Sequence, residues 1–331
     1  MVHVVLDAMG GDNAPKEVVK GALLALADSD TIMITLCGRR SDIQKELEGC
    51  EYPKERLSIE EASDIISTEE APVMAIRRKK DSSIVKGLNL VKEGAADAFV
   101  SAGSSGAILV GGQLIVGRIK GVERPPLAPL IPSTTPKGVS LLIDCGANVD
   151  ARSSHLVQFA KMGSIYMEHV MGVRNPRVAI VNIGAEEEKG NMLVKETFPL
   201  LRNCPDINFT GSIEAREIPN GGADVIVCEA FVGNVILKMY EGVGKMMLTS
   251  IKEALMSSTR GKLGGLLIKP SLKGMMKTFD ATEYGGAPLL GLNGLVVKVH
   301  GNATSKEISN AIRQCETFKE QNISRRIADK I

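Results

Sequence analysis

Tryptophan is absent from the 331 residues, aromatic side chains make up 3% of them, and histidine occurs four times. A base-stacking surface for single-stranded nucleic acid is therefore poorly supplied. Net charge is also missing: 40 Lys plus Arg face 39 Asp plus Glu. No global field points to a nucleic-acid partner, so recognition of any charged ligand must be local. The six cysteines (Cys37, Cys50, Cys145, Cys204, Cys228, Cys315) include no Cys-x-x-Cys pair, which fits reduced thiols in a cytosol and speaks against a zinc knuckle or disulfide framework. His155, His169 and His300 stand apart, without His-Glu-x-x-His or two-His-one-carboxylate spacing, so no metal is expected. No stretch approaches the roughly 18 apolar residues of a membrane span, and MVHVVLDAMGGDNAP has no basic leader. A cytoplasmic protein is expected, at most peripheral to a membrane.

With aromatics scarce and 44% of residues hydrophobic, the interior must be filled by Val, Ile, Leu, Met and Ala, which suits parallel sheets covered by helices. Short apolar runs recur, each followed by a polar turn and a helix-period segment: VHVVLD (2–7), TIMITLCG (31–38), AFVSAG (98–103), VSLLIDCG (139–146), RVAIVNIG (177–184) and ADVIVCEA (223–230). The alternation predicts an α/β fold with a mostly parallel sheet, in which ligands bind beyond the carboxyl ends of strands. The length admits one large domain or two smaller ones; a single domain over 1–331 is the expectation. The Pro-rich 121–138 breaks the pattern, predicting short edge strands and a possible subdomain boundary. From 235 to 280, Ile236, Met239, Tyr240, Val243, Met247, Ile251 and Leu255 fall at helical spacing, predicting a helical hairpin.

Polar turn residues gather at five of the strand ends. In SAGSSGAI, Ser101, Gly103, Ser104, Ser105 and Gly106 let backbone N–H groups and hydroxyls approach an anion where a helix begins. The segment is neither a P-loop nor a dinucleotide fingerprint, and Ala107 stands where a nucleophile elbow needs Gly. Gly10, Gly11 and Asn13 follow the first strand. Asp144 and Asn148 lie in IDCGANVD, and Asn234 in CEAFVGN; asparagine both donates and accepts. In VNIGAEEEKGN, Asn182 leaves a strand, and Lys189 is the best candidate for a fixed positive charge beside phosphate or an oxyanion. Arg77, Arg78, Lys79 and Lys80 form the densest basic run, either a solvated helix face or a dock for an acidic partner. Leu263, Leu266, Leu267 and Ile268 beside Arg260, Lys262 and Lys269 suit a membrane surface or a dimer groove, with ordinary core packing the alternative.

Taken together, DAMGGDNAP (7–15), AIRRKKDSS (75–83), SAGSSGA (101–107), VGRIKGVERPPLAP (116–129), DCGANVD (144–150), EKGN (188–191), INFTGSIEAR (207–216), FVGN (231–234) and YGGAPLLGL (284–292) resemble the bacterial phosphate acyltransferase family over nearly the whole chain. The resemblance implies a three-layer α/β/α sandwich related to phosphotransacetylase and isocitrate dehydrogenase-like folds. It implies a homodimer that touches the membrane through the hairpin, takes an acyl group from acyl carrier protein, and passes acyl phosphate to a downstream membrane acyltransferase. It places the family's Lys before Gly-Asn on Lys189 and its strand-end asparagines on Asn148, Asn182 and Asn234. The chain departs at four places: the family usually has His at Asn13, Asn-Thr at Ser104-Ser105, Asp-Gly at Glu229-Ala230, and Val at Cys145.

The chemistry expected needs no cofactor. Hydrogen phosphate is already an anionic nucleophile and a thiolate leaves readily, so the protein's work is placement and charge. The Gly10-Gly11 and Ser101 to Gly106 turns, with Asp144 and Asn148, are expected to hold phosphate, and Asn13 to hydrogen-bond it without supplying a titratable proton. Lys189, with Asn182 or Asn234, is expected to stabilise the developing charge. A phosphotransacetylase using coenzyme A thioesters and a non-catalytic sensor of carrier protein and membrane are the competing readings.

Overall fold

The computed structural model describes residues 1–278 and 284–331. All six apolar runs form strands: β1 (Val2–Asp7), β2 (Ile32–Gly38), β4 (Ala98–Ser101), β6 (Val139–Ile143), β7 (Arg177–Val181) and β9 (Val225–Val227). Five further strands join them, β3 (Leu57–Glu61), β5 (Leu130–Pro132), β8 (Asn208–Ile213), β10 (Ala287–Leu289) and β11 (Leu295–Lys298). They build two sheets, ordered β10-β11-β4-β1-β2-β3 and β5-β6-β9-β7-β8. Every pairing is parallel except β10 with β11 and β5 with β6. The fold is thus α/β and mostly parallel. Strands β4, β6 and β9 are buried at every position, as continuous apolar runs covered on both faces must be.

The chain divides into two compact units where one domain on one sheet was expected. The first comprises Met1–Pro129, Lys161–Arg174 and Thr282–Ile331; the second comprises Leu130–Ala160 and Asn175–Ala281. The reason is strand pairing, which periodicity does not encode. Each sheet has its own short antiparallel edge strand, β10 or β5, and the boundary Pro129/Leu130 falls in the Pro-rich stretch.

The predicted hairpin is present as the helices Ala230–Met256 and Thr259–Thr278. The first begins before residue 235 because Glu229 caps it, accepting from the amides of Phe231 and Val232; positions 279–280 of the predicted span lie outside the described residues. Ile236 and Tyr240 pack on the core of the second unit with Leu142, Cys145, Ile226 and Cys228, whereas Met239, Val243 and Met247 are exposed. Among the described residues no helix is long and apolar enough to cross a membrane.

None of the six cysteines is in a disulfide, and Cys37, Cys145, Cys228 and Cys315 are buried. Burial pushes the Cys37 thiol up to about 12 and raises those of Cys145, Cys228 and Cys315.

Candidate active site

In the first unit β1 and β4 are neighbours, so the turns that follow them meet. Asp7 ends β1 and Ser101 ends β4. The Ser101 hydroxyl donates to Asp7 Oδ2 at 2.6 Å, and the Gly103 amide donates to the same hydroxyl at 2.9 Å. Met9 N donates to Asp7 Oδ1 at 3.2 Å. Asp7 is 2% exposed; desolvation raises its pKa above the ordinary 3.8, against hydrogen bonds from Ser101, Ser83, Met9 and Gly10. Around this carboxylate the backbone closes in. A Cβ on Gly10 would lie 2.3 Å from Asp7 Oδ2 and 2.7 Å from Gly103 N, and one on Gly103 would lie 3.0 Å from Asp7 Oδ2. Gly11, at φ +99°, packs on Ala102 and Gly301. Sequence reasoning left Asp7 out of the candidate set; its signal was an acid closing an apolar run, a place where a lone carboxylate needs several donors.

The other predicted residues of this unit divide by role. Ser104 is buried and caps the helix Ser105–Gly111, accepting from Ala107 N at 3.4 Å. Ser105 is exposed. Gly106 is the point where that helix crosses the helix Pro72–Arg78, because a Cβ there would meet Pro72 Cγ at 2.5 Å. Asn13 is exposed, and its amide donates to Asn302 O and Ala303 O at 3.2 and 3.4 Å.

The second unit carries the ends of β6, β7 and β9. Asp144, fully buried, accepts from Gly146 N and Ala147 N at 3.1 Å, from Asn148 N at 2.8 Å and from Asn148 Nδ2 at 2.7 Å. Its oxygens therefore shape the 144–148 turn from within. Gly233 lies over the same turn, since a Cβ would fall 1.8 Å from Asp144 O. Asn182 is engaged at every polar position: Nδ2 donates to Lys189 O (3.2 Å) and Ser212 Oγ (3.1 Å), and Oδ1 accepts from Ile183 N (2.8 Å). It ties the loop that carries Lys189. The Lys189 ammonium pairs with Glu186 at 2.9 Å, both side chains more than half exposed, and that pair lowers the Glu186 pKa. Water screens such a surface pair and leaves it weak, so an arriving anion can displace Glu186 at little cost. Asn234 is exposed early in the helix Ala230–Met256.

A family described as "Fatty acid synthesis protein" matches residues 2–326. The chain is 51% identical over 330 residues to a phosphate acyltransferase of Alkaliphilus oremlandii, covering 100% of this chain and 97% of that one. The chain belongs to the phosphate acyltransferase family. It is an acyltransferase. Its fold is similar to those of phosphotransacetylases from Streptococcus pyogenes (TM-score 0.62, 16% identity, 96% of this chain and 94% of that chain) and Staphylococcus aureus (TM-score 0.59, 18% identity, the same shares). At that identity the likeness speaks for fold alone.

Of the four departures, that at position 13 changes the chemistry most, because Asn supplies no titratable proton where the resembled pattern has His. Asn13 retains a donor but holds it to the 302–303 segment. Ser104 still caps a helix, Glu229 supplies a cap where Asp is usual, and Cys145 fills the core where Val is usual. The basic run splits by direction. Arg77 and Arg78 are exposed beside Val73 and Met74. Lys79 is drawn inward, donating to Ile65 O at 2.7 Å and Glu70 at 2.8 Å, and Lys80 reaches back to Ile76 O at 3.3 Å. At the hairpin tip Leu263, Leu266, Leu267 and Ile268 are 61%, 68%, 81% and 45% exposed, which removes core packing within this chain as their role.

Proposed function

We propose that this acyltransferase moves a fatty acyl group from an acyl carrier protein thioester to inorganic phosphate, releasing acyl phosphate for phospholipid synthesis. Phosphate attacks the thioester carbonyl directly and no acyl-enzyme forms. The observation that carries this reading is the pair of glycine turns around Asp7: Gly10 and Gly103 sit so close to each other and to the Asp7 carboxylate that the turn after β1 has no room for a side chain at position 10. Backbone amides in tight turns are a natural cradle for a small anion. The buried thiols, with pKa values raised by desolvation, offer no activated nucleophile for a covalent intermediate. In the second unit Lys189 is the cation that an anion can claim by displacing Glu186, and Asn234 is an exposed donor.

Arg77 and Arg78, with Val73 and Met74 alongside, suit an acidic carrier with an apolar patch. The leucine-rich tip flanked by cations suits the surface of an anionic membrane, where a downstream acyltransferase consumes the reactive mixed anhydride. The working form is a homodimer.

The test compares carrier-protein and coenzyme A thioesters side by side, with phosphate-dependent thiol release as one readout and hydroxylamine trapping of acyl phosphate as the other. Turnover confined to coenzyme A overturns the donor assignment. An acylated chain detected by mass spectrometry in the absence of phosphate overturns direct attack.

A further inference from the structure

We propose that Asp7 is the positioning residue of the phosphate turn, fixing through the Ser101 hydroxyl the direction of the Gly103 amide and hence the aim of Ser101 to Gly106. This rests on the reading that the turn holds phosphate, and goes beyond it by naming the group that sets its geometry.

Asp7 and Ser101 are 2% and 1% exposed, so neither reaches bulk solvent. The Ser101 hydroxyl is engaged on both sides, its proton toward Asp7 Oδ2 and a lone pair toward Gly103 N. In that state Ser101 is a link, not a phosphate ligand. The same carboxylate takes Met9 N on its other oxygen, and the Cα of Gly10 leaves no room for a methyl group against Oδ2. One carboxylate therefore holds the turn after β1 and the turn after β4 together. Hydrogen bonds from Ser101, Ser83, Met9 and Gly10 work against its burial. The hydroxyl of Ser83, first residue of the helix Ser83–Lys92, is one such partner. The titratable neighbour across the sheet is the Cys37 thiol on β2, which feels the Asp7 charge and which burial keeps neutral up to about 12. A buried carboxylate held this way is costly to retain, and among Val4, Val5, Leu6 and Ala8 an apolar side chain would fill the same place without that cost. What it adds is directional: the amide of Gly103 is held on a lever whose other end is Asp7.

The experiment uses the full chain with carrier-protein thioester and phosphate, comparing wild type, Asp7→Asn, Ser101→Ala and the double variant, each checked for folding by thermal unfolding. In Asp7→Asn the side-chain amide can still accept from Ser101 but turns an N–H donor toward the amide of Met9 or Gly10, so the lever is misaligned; Ser101→Ala removes its middle. Each single variant is expected to raise KM for phosphate about tenfold while KM for the acyl donor stays within about twofold. The double variant is expected to be no worse than the weaker single, because both cut one connection. A role confined to stability would instead reduce turnover in step with the folded fraction and leave both KM values alone. A folded single variant with phosphate KM within about twofold of wild type, or additive effects in the double, overturns the inference. If Asp7→Asn does not fold, Ser101→Ala decides alone. Wild type that yields no acyl phosphate overturns the functional reading, and the inference with it; competent wild type with indifferent variants overturns the inference only.

Discussion

Replacing Gly10 by Ala tests the two-turn arrangement with a single methyl group. The added Cβ would lie 2.3 Å from Asp7 Oδ2, 2.9 Å from Asp7 Cγ and 2.7 Å from Gly103 N. None of these is the free end of a flexible side chain: one is backbone, and the others belong to a buried carboxylate held by Ser101 and Met9. Relief requires moving Asp7, weakening a hydrogen bond to a charged group worth about 1.5–3 kcal/mol, or shifting backbone, with overpacking costs of about 1–3 kcal/mol. The two routes are alternatives, so about 2–3 kcal/mol is the expected loss. For domains of 150–250 residues, each kcal/mol moves Tm by about 2–4 °C, which makes the expected fall about 4–12 °C. Calorimetry measures it directly, and steady-state kinetics at a temperature where the variant is folded should show a raised KM for phosphate. A Tm within about 1 °C of wild type, with phosphate KM unchanged, would refute the close packing of Gly10, Asp7 and Gly103.

Lys189→Ala, which removes only an exposed ion pair, should leave Tm nearly unchanged and lower kcat/KM by about 10²-fold or more, in the range of a lost oxyanion donor; near-normal turnover would dismiss Lys189. Arg77→Glu with Arg78→Glu should raise KM for the carrier thioester at low salt, an effect that fades at about 0.5 M salt as screening shortens the reach of charge, whereas Lys79→Glu should lower Tm because it breaks the bonds to Ile65 and Glu70; salt-independent kinetics would reduce the pair to a solvated face. Leu266→Glu with Leu267→Glu should abolish co-flotation with anionic liposomes while activity in solution persists, and undiminished flotation would remove the tip as the lipid contact. Burial pushes the Asp97 carboxyl up, but Lys319 at 2.7 Å and the His3 amide at 3.0 Å outweigh it and the pKa is lowered below 3.8. A depressed acid stabilises the fold above its unfolded pKa, and the contribution disappears as pH falls through the folded value. The Tm gap between wild type and Asp97→Asn should therefore close below about pH 4; a gap constant with pH would show that charge is not its source.

The six central strands were legible because strands buried on both faces read as unbroken apolar runs. Other strands were not: the edges β3 (LSIEE) and β8 (NFTGSI) mix polar and apolar residues, and β10 and its neighbour β11 are short, whereas the edge strand β5 lies in the Pro-rich stretch that predicted short edge strands. Which run pairs with which was also hidden, so two sheets were read as one. The candidate residues divide in the same way. That Gly10, Gly103 and Ser101 lie at strand ends follows from local pattern. That Ser101 faces Asp7 depends on β1 and β4 being neighbours, a long-range fact. Asn182 was expected as a donor to charge, but Lys189 O and Ser212 engage its amide. The run from Arg77 to Lys80 has one sign along the chain and two directions in space, because the helix ends at Arg78 and the chain leaves helical geometry at Lys79 (φ −90°, ψ 69°), whose ammonium reaches Ile65 and Glu70 while Arg77 and Arg78 stay outside.

The buried thiols make this chain its own unfolding clock. Cys37 and Cys315 lie in the first unit, Cys145 and Cys228 in the second. Alkylation needs thiolate and access, and burial withholds both, so each of these sites reacts only when its unit opens. Exposed Cys50 labels at once and sets the baseline. Pulsed alkylation followed by peptide mass spectrometry can then time the opening of each unit separately, without introducing a probe, and show which one yields first under heat or denaturant.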